Sequence, residues 1–118
     1  MNDDQNGIKP PILWGHFNEL RKIPRCSKHE ELAAEYVVSV ARRLWLDCRT
    51  DGAGNVLVRK EATPGGEGSP KVLLQSHLDM VCEKNKDVDH DFSKDPIEVA
   101  VENGWISARG TTLGADNG

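Results

Sequence analysis

The sequence predicts an α/β fold in which two helices lie against a mixed sheet. Apolar residues recur at helical spacing in two N-terminal segments, and several later runs have the length and alternation of strands. A chain of 118 residues is long enough for one domain with a modest core. We expect the strands of this sheet near residues 47–50, 55–59, 71–77, 97–102 and 105–108.

Composition and charge limit the functions open to the chain. With 15 Lys and Arg against 19 Asp and Glu, the formal net charge is −4, which predicts no strong attraction to nucleic acids or to membranes. No apolar run approaches the ~20 residues of a membrane span. Three widely spaced cysteines, Cys26, Cys48 and Cys82, fit neither a disulfide framework nor a zinc ribbon, and they favour a reducing, cytoplasmic compartment.

The first helix is expected directly after a polar N-terminus. Residues 1–9 have the composition of a flexible tail, and residues 10–118 form the folded part. Pro10-Pro11 can open a short helix, because proline is tolerated at a first helical position, and Pro24 closes it.

The second helix has the stronger signal. Ser27-Lys28-His29-Glu30 has the pattern of a capping box, in which the serine and the glutamate satisfy free amides at a helix start. Apolar residues follow at helical spacing and form one broad face, so we expect a helix over about residues 28–45. His29 is interpreted as a solvated residue of the first turn.

The apolar residues 72–74 indicate a buried strand that carries His77 and Asp79 at its end. Residues two apart in an extended chain project to the same face, so these two side chains are expected to lie close together. An imidazole nitrogen can bind a metal ion while a neighbouring carboxylate fixes the tautomer of the ring. On this motif alone, a strand end with two polar surface residues remains an alternative.

The hairpin signal near the C-terminal end is local and clear. Residues 97–102 alternate between apolar and polar side chains, and a second short apolar run covers 105–108. The intervening Asn103-Gly104 favours the type I′ turn of a two-residue hairpin.

Two loops partly match known ion-binding and phosphate-binding templates. Residues 83–95 are rich in aspartate, but the run lacks the central glycine of a calcium loop and contains Phe92, which favours a solvated loop. Residues 110–118 are rich in glycine, but no Gly-Lys-Ser/Thr follows, so a phosphate-binding loop is excluded. Asp116 stands there between small residues and can approach a bound ion closely.

Two of these segments resemble the N-terminal signatures of one enzyme family, the di-zinc dipeptidases and deacylases related to aminoacylase and carboxypeptidase G. The first is His77-Leu78-Asp79 after its apolar run, and the second is the glycine-rich segment 110–118. The resemblance covers nearly the whole chain from about Pro11 onward and is greatest to the dipeptidases of the family. It implies hydrolysis of dipeptides such as Xaa-His by a metal-activated water.

The resemblance assigns roles to three residues. It makes His77 a terminal ligand of one metal ion, Asp79 the catalytic carboxylate that orients His77, and Asp116 the carboxylate that bridges two ions. Two zinc ions per complete active site are implied, and other divalent metals suit the same donors. A carboxylate can span two cations about 3.5–4 Å apart, and such a pair lowers the pKa of a shared water. Cys82 has no ligand role in the family pattern and is interpreted as a packing residue.

The resemblance also implies that residues 10–118 are the N-terminal portion of a longer catalytic domain. The general base, the remaining ligands and a lid domain lie further along such chains, so this segment alone is expected to be inactive. A dipeptide is the implied substrate, and a homodimer through the lid is the implied assembly. Two alternatives remain open: a non-catalytic binding module that uses the apolar face of the second helix, and a metal-dependent deacylase of the same fold.

Overall fold

The structure is a computed structural model that describes residues 8–118, so nearly all of the tail predicted at residues 1–9 lies outside the described residues. Two helices, α1 (Pro11–Leu20) and α2 (Glu31–Arg43), precede two hairpins. The strands are β1 Asp47–Thr50, β2 Val56–Arg59, β3 Val99–Glu102 and β4 Trp105–Ala108. The predicted class, helices combined with short strands, is confirmed. Within residues 8–118, neither helix has the length and apolar character needed to cross a lipid bilayer.

Helix α1 begins at Pro11, whose fixed φ and missing N–H suit a first helical position. Its Phe17 is buried, and the ring of Trp14 packs edge-on against it with ring centroids 5.7 Å apart. His16 Nδ1 lies 2.7 Å from the hydroxyl oxygen of Tyr36 in α2. This hydrogen bond connects the two helices.

The predicted capping box at the start of α2 does not form. Ser27 makes no cap, and its hydroxyl donates instead to the carboxylate of Asp79. The backbone at Lys28 has a φ of +73°, which is incompatible with a right-handed helix, so the helix begins later than predicted. At the other end Trp45 has a φ of +57°, the left-handed conformation that commonly terminates helices.

The strands form two separate antiparallel pairs, and the single mixed sheet that we predicted is wrong for residues 8–118. β1 pairs with β2, with Asp47 opposite Arg59 at one end of the register. β3 pairs with β4 through the tight turn Asn103-Gly104, whose φ angles are 52° and 81°. Positive φ at both central residues is the requirement of a type I′ turn, as predicted.

Residues 71–77 belong to no helix or strand, so the predicted buried strand is wrong. The side chains of Val72, Leu73 and Leu74 are 82%, 79% and 89% exposed. A strand requires a neighbour for its backbone hydrogen bonds, and within residues 8–118 no segment pairs with this one. The composition of residues 72–74 indicates a strand-forming run. Composition carries no information, however, on whether a neighbouring strand is present to pair with it.

The buried apolar core is small. Its members are Phe17, Ala33, Ala41, Met80 and Ile97. The chain exposes 9383 Å² of surface, whereas a folded monomer of 13.0 kDa typically exposes about 6,300 Å². Large apolar side chains therefore face solvent, including Trp45 and Trp105.

A disulfide joins Cys26 to Cys82. It corrects the prediction that the cysteines form no disulfide framework and the prediction that Cys82 is a packing residue. The two Cα atoms are 5.6 Å apart, although the residues are separated by 56 positions in sequence. The N–H of Met80 donates to the carbonyl of Arg25 at 2.9 Å, so the two segments run side by side and bring the thiols together. Cys82 is thus a cross-link and not merely a packing residue, while Cys48 is free and half-buried. The cysteine spacing could not show this, because the pairing depends on tertiary contacts.

Candidate metal centre

Three separate segments converge at one place, residues 25–27, 77–79 and 114–117. Backbone hydrogen bonds align them. The N–H of Met80 bonds to the carbonyl of Arg25 at 2.9 Å, and the N–H of Thr112 bonds to the carbonyl of Glu83 at 2.8 Å. These contacts bring two other segments to the His-x-Asp motif. One is residues 25–27, which precede α2, and the other is the C-terminal glycine-rich segment.

His77 and Asp79 meet as the two-residue spacing predicts, although their segment is not a strand. His77 Nδ1 lies 2.9 Å from Asp79 Oδ1 and 3.0 Å from the Asp79 carbonyl oxygen. These two acceptors favour a proton on Nδ1, so Nε2 is the nitrogen whose lone pair a metal ion can use when that atom carries no proton. Such a nitrogen is suited to bind a metal ion.

Asp116 reaches the other side of the same ring. Its Oδ2 lies 3.0 Å from His77 Nε2, across 39 positions of sequence. The side chains of His77 and Asp116 are 53% and 70% exposed, so the site is open to solvent. The structure therefore brings together all three residues that the sequence singled out.

The carboxylates change the acid–base properties of this cluster. The pKa of His77 is raised above its usual value, chiefly by the hydrogen bond to Asp79 and, against partial burial, by Asp116. The pKa of Asp79 is lowered, first by the hydroxyl of Ser27 and then by His77. Asp79 is therefore a firmly ionised acceptor for the imidazole N–H.

Three residues of the site were missed or misjudged from the sequence. Ser27 was read as a helix cap, but its hydroxyl binds Asp79. Asn117 follows Asp116, and its side-chain amide donates to the carbonyl oxygens of His77 and, at 2.9 Å, of Asp79. Arg25 was not considered, yet it is buried and bonds to both motif segments.

The free donor atoms fit part of a metal site. His77 Nε2 and Asp116 Oδ2 are 3.0 Å apart, and bonds of about 2 Å to zinc let one cation touch both atoms. The carboxylate oxygens of Asp79 are already engaged by Ser27 and by the imidazole. Within residues 8–118 no group of three or more His, Cys, Asp or Glu side chains is placed to hold a metal ion. Two ligands are too few for a four-coordinate zinc ion.

The fold and this histidine–carboxylate cluster agree with the resemblance to dipeptidases that the two motifs indicated. Over 111 residues, which are 94% of its length, the chain is 50% identical to cytosol non-specific dipeptidase of Escherichia coli (strain K12). Among solved structures, aminoacylhistidine dipeptidase from Vibrio alginolyticus matches 94% of the chain with a TM-score of 0.90 and 49% identity.

These two matches confirm the resemblance inferred from the motifs. The chain spans 23% of the length of each relative. A comparison with models of known protein families finds no match. The roles assigned to His77, Asp79 and Asp116 stay predictions.

Proposed function

We propose that this chain is part of a metal-dependent dipeptidase that hydrolyses dipeptides such as Xaa-His. The observation that carries the proposal is the placement of His77 Nε2 against Asp116 Oδ2, with Asp79 on the opposite ring nitrogen. Support comes from the similarity to two proteins that are named as dipeptidases. Histidine and carboxylate donors held in this way suit zinc.

Each residue has a distinct task in this proposal. His77 and Asp116 hold the metal, and Asp79 keeps the His77 ring in the orientation and tautomer that binding requires. Asp116 has a second carboxylate oxygen, which is available for a second cation. The ions, when bound, lower the pKa of a water molecule and polarise the peptide carbonyl.

Residues 10–118 form, in this proposal, the N-terminal portion of a catalytic domain. The chain spans 23% of each relative, and the described residues contain no group of three or more His, Cys, Asp or Glu side chains placed to hold a metal ion. The general base, the other ligands and a lid domain with a possible dimer interface would then be supplied by further sequence. A cytoplasmic location agrees with the name of the Escherichia coli relative, cytosol non-specific dipeptidase.

Hydrolysis by the complete protein tests the proposal directly. We expect zinc-loaded protein to hydrolyse β-alanyl-histidine, to lose activity on chelation and to regain it when zinc is returned. His77→Ala should abolish activity, whereas His29→Ala, a change at an exposed residue outside the cluster, should leave it unchanged.

Two other outcomes would contradict the proposal and support a different function. Hydrolysis of N-acetyl amino acids with none of β-alanyl-histidine would identify a deacylase. No hydrolysis of either substrate by zinc-loaded protein would favour the non-catalytic binding module.

A further inference from the structure

Arg25 is a buried cation in a chain that buries few residues. Its exposed fraction is 3%, and it is the only charged residue among the buried residues of the described chain. Moving a guanidinium out of water is costly unless hydrogen bonds replace its hydration. The groups that accept hydrogen bonds from Arg25 therefore indicate its structural role.

The partners of Arg25 belong to both halves of the metal centre. Nη1 donates to the carbonyl oxygen of Leu78 at 3.1 Å and to the side-chain oxygen of Asn117 at 3.1 Å. Nη2 donates to the carbonyl oxygen of Gly114 at 2.6 Å. Leu78 lies between His77 and Asp79, and Gly114 lies two residues before Asp116. One planar group thus spans the two segments that carry the donor atoms.

The glycine-rich segment is shaped around this guanidinium. A Cβ atom at Gly114 would stand 2.7 Å from Arg25 Nη2, closer than real Cβ atoms approach, and 3.0 Å from Met80, which is an unusually tight contact. The φ of Gly114 is +68°, a backbone conformation that residues with a side chain rarely adopt. Glycine is required there because the arginine must reach the backbone oxygen.

Asn117 extends the same connection. Its side-chain oxygen accepts from Arg25, while its amide nitrogen donates to the carbonyl oxygens of His77 and Asp79. Burial lowers the pKa of Arg25 below its usual value, and the nearby carboxylates of Asp116 and Asp79 partly oppose this effect. Arg25 thus contacts the site through backbone and amide groups, and it makes no hydrogen bond to His77 Nε2 or to the Asp116 carboxylate.

We propose that Arg25 is a positioning residue of the metal centre, whose buried guanidinium sets the separation of the His77 and Asp116 segments. The inference rests on the proposed function for the identity of the bound cation. The geometry itself, two backbone segments held by one fork of N–H groups, does not depend on it. Lysine cannot replace this fork, because a single ammonium group has no planar pair of donors.

Arg25→Ala in the complete protein tests the proposal. We expect a loss in zinc affinity on the order of 10–100-fold, the scale for a group that orients metal ligands. In the metal-free protein, amide hydrogen exchange should become faster in residues 77–80 and 114–117. Added guanidinium chloride at millimolar concentration should restore part of both properties, whereas sodium chloride at equal ionic strength should not.

Two matched variants make the result specific. Arg59→Ala removes an exposed arginine that is paired with Glu61 at 2.9 Å, and it should change neither zinc affinity nor exchange. Arg25→Lys keeps the charge and should still bind zinc more weakly than the wild type. If Arg25→Ala does not fold, the comparison between Arg25→Lys and the wild type decides.

Wild-type zinc affinity and wild-type exchange rates in Arg25→Ala or Arg25→Lys would overturn the proposal. A weakened Arg25→Ala protein that guanidinium does not restore would also overturn it, because general damage to the fold would then explain the loss. Failure of the proposed function has a different signature, since wild-type protein would then neither bind zinc nor hydrolyse a dipeptide. The exchange and rescue measurements on metal-free protein remain decisive in that case.

Discussion

Asp79 and Asp116 contact the same imidazole ring of His77 through opposite nitrogens. Asp79 is bound to Nδ1 at 2.9 Å and is also engaged by Ser27, whereas Asp116 faces Nε2 at 3.0 Å and is 70% exposed. The two aspartates therefore have different roles at the proposed site. In the proposal Asp116 would touch the metal itself, whereas Asp79 would act only through the histidine.

Substitution of the two aspartates in the complete protein should separate these tasks. Asp116→Ala should remove nearly all activity and lower the bound metal below two ions per chain, because a bridging carboxylate contacts both cations. Asp79→Ala should leave most of the metal bound, with a loss on the order of 10–100-fold in affinity or activity. Metal analysis and steady-state kinetics measure both effects, and equal metal loss in the two variants would contradict the assignment.

The site residues that could be predicted are those whose arrangement is local or carried by a motif. His77 and Asp79 are two positions apart, so their contact follows from chain geometry, and Asp116 belongs to a distinctive glycine-rich segment. Arg25 could not be predicted in the same way. Its partners are three backbone carbonyls and a side-chain amide far along the chain, and backbone groups leave no signature in a sequence.

A second residue-level prediction concerns the loop that carries Asp91. Ser93 donates to Asp91 Oδ1 from its backbone N–H and its hydroxyl, at 2.9 Å and 2.6 Å, and Lys94 lies near the other oxygen. These contacts lower the pKa of Asp91 to about 2. The folded pKa is depressed, so the contribution of this carboxylate to stability is present above its unfolded pKa of about 3.9 and is lost as the pH falls toward about 2.

Ser93→Ala should therefore raise the pKa of Asp91 toward its ordinary value, because the hydroxyl of Ser93 is the largest cause of the shift. A carboxyl-carbon NMR titration measures the pKa directly. Ser39→Ala is the control, since that hydroxyl bonds to the carbonyl of Tyr36 in α2. An unchanged pKa of Asp91 in Ser93→Ala would show that the loop contacts do not determine it.

Among the secondary-structure elements, the turn between β3 and β4 was predicted because its determinants are adjacent in sequence. Asn103-Gly104 alone favours a type I′ turn, and both residues adopt positive φ. The segment 71–77 was not predicted well for the opposite reason, since a strand forms only with a partner. The start of α2 was predicted too early, because the Ser27 hydroxyl donates to Asp79 and accepts no hydrogen bond from a helix N–H.

Two glycines should respond to alanine with opposite signs. Gly104 has a φ of +81° and open space around its Cβ position, so Gly104→Ala should cost about 1 kcal/mol through backbone strain alone. Gly15 lies within α1 with nothing near its Cβ position, so Gly15→Ala should stabilise by about 0.5–1 kcal/mol. Urea denaturation of the complete protein measures both changes. A shift of the same sign in both variants would contradict this account.

At the scale of the molecule, the described chain is more open than a typical domain of its size. Its radius of gyration is 16.4 Å, whereas a compact domain of this length has a value of about 13 Å. The core is small, and Val72, Leu73 and Leu74 are almost fully exposed. Burial of apolar surface is the main favourable term in folding, so little of it is available to these residues alone.

The isolated 118-residue chain should accordingly be at best marginally folded. We expect a broad, non-cooperative thermal transition by circular dichroism and self-association in sedimentation experiments, because contiguous exposed apolar residues favour aggregation. A sharp, cooperative transition in a monomeric sample without any added partner would show that the contacts within this chain are sufficient.

The bond between Cys26 and Cys82 closes a covalent ring that contains α2, β1, β2 and the largely exposed residues 62–70. A protease that cuts within residues 62–70 would leave Ser27 on one piece and Asp79 on the other. The two pieces would still form one molecule, because sulfur connects them beside the metal centre. A reducing environment removes that second connection, and the same cut then separates the groups that surround His77.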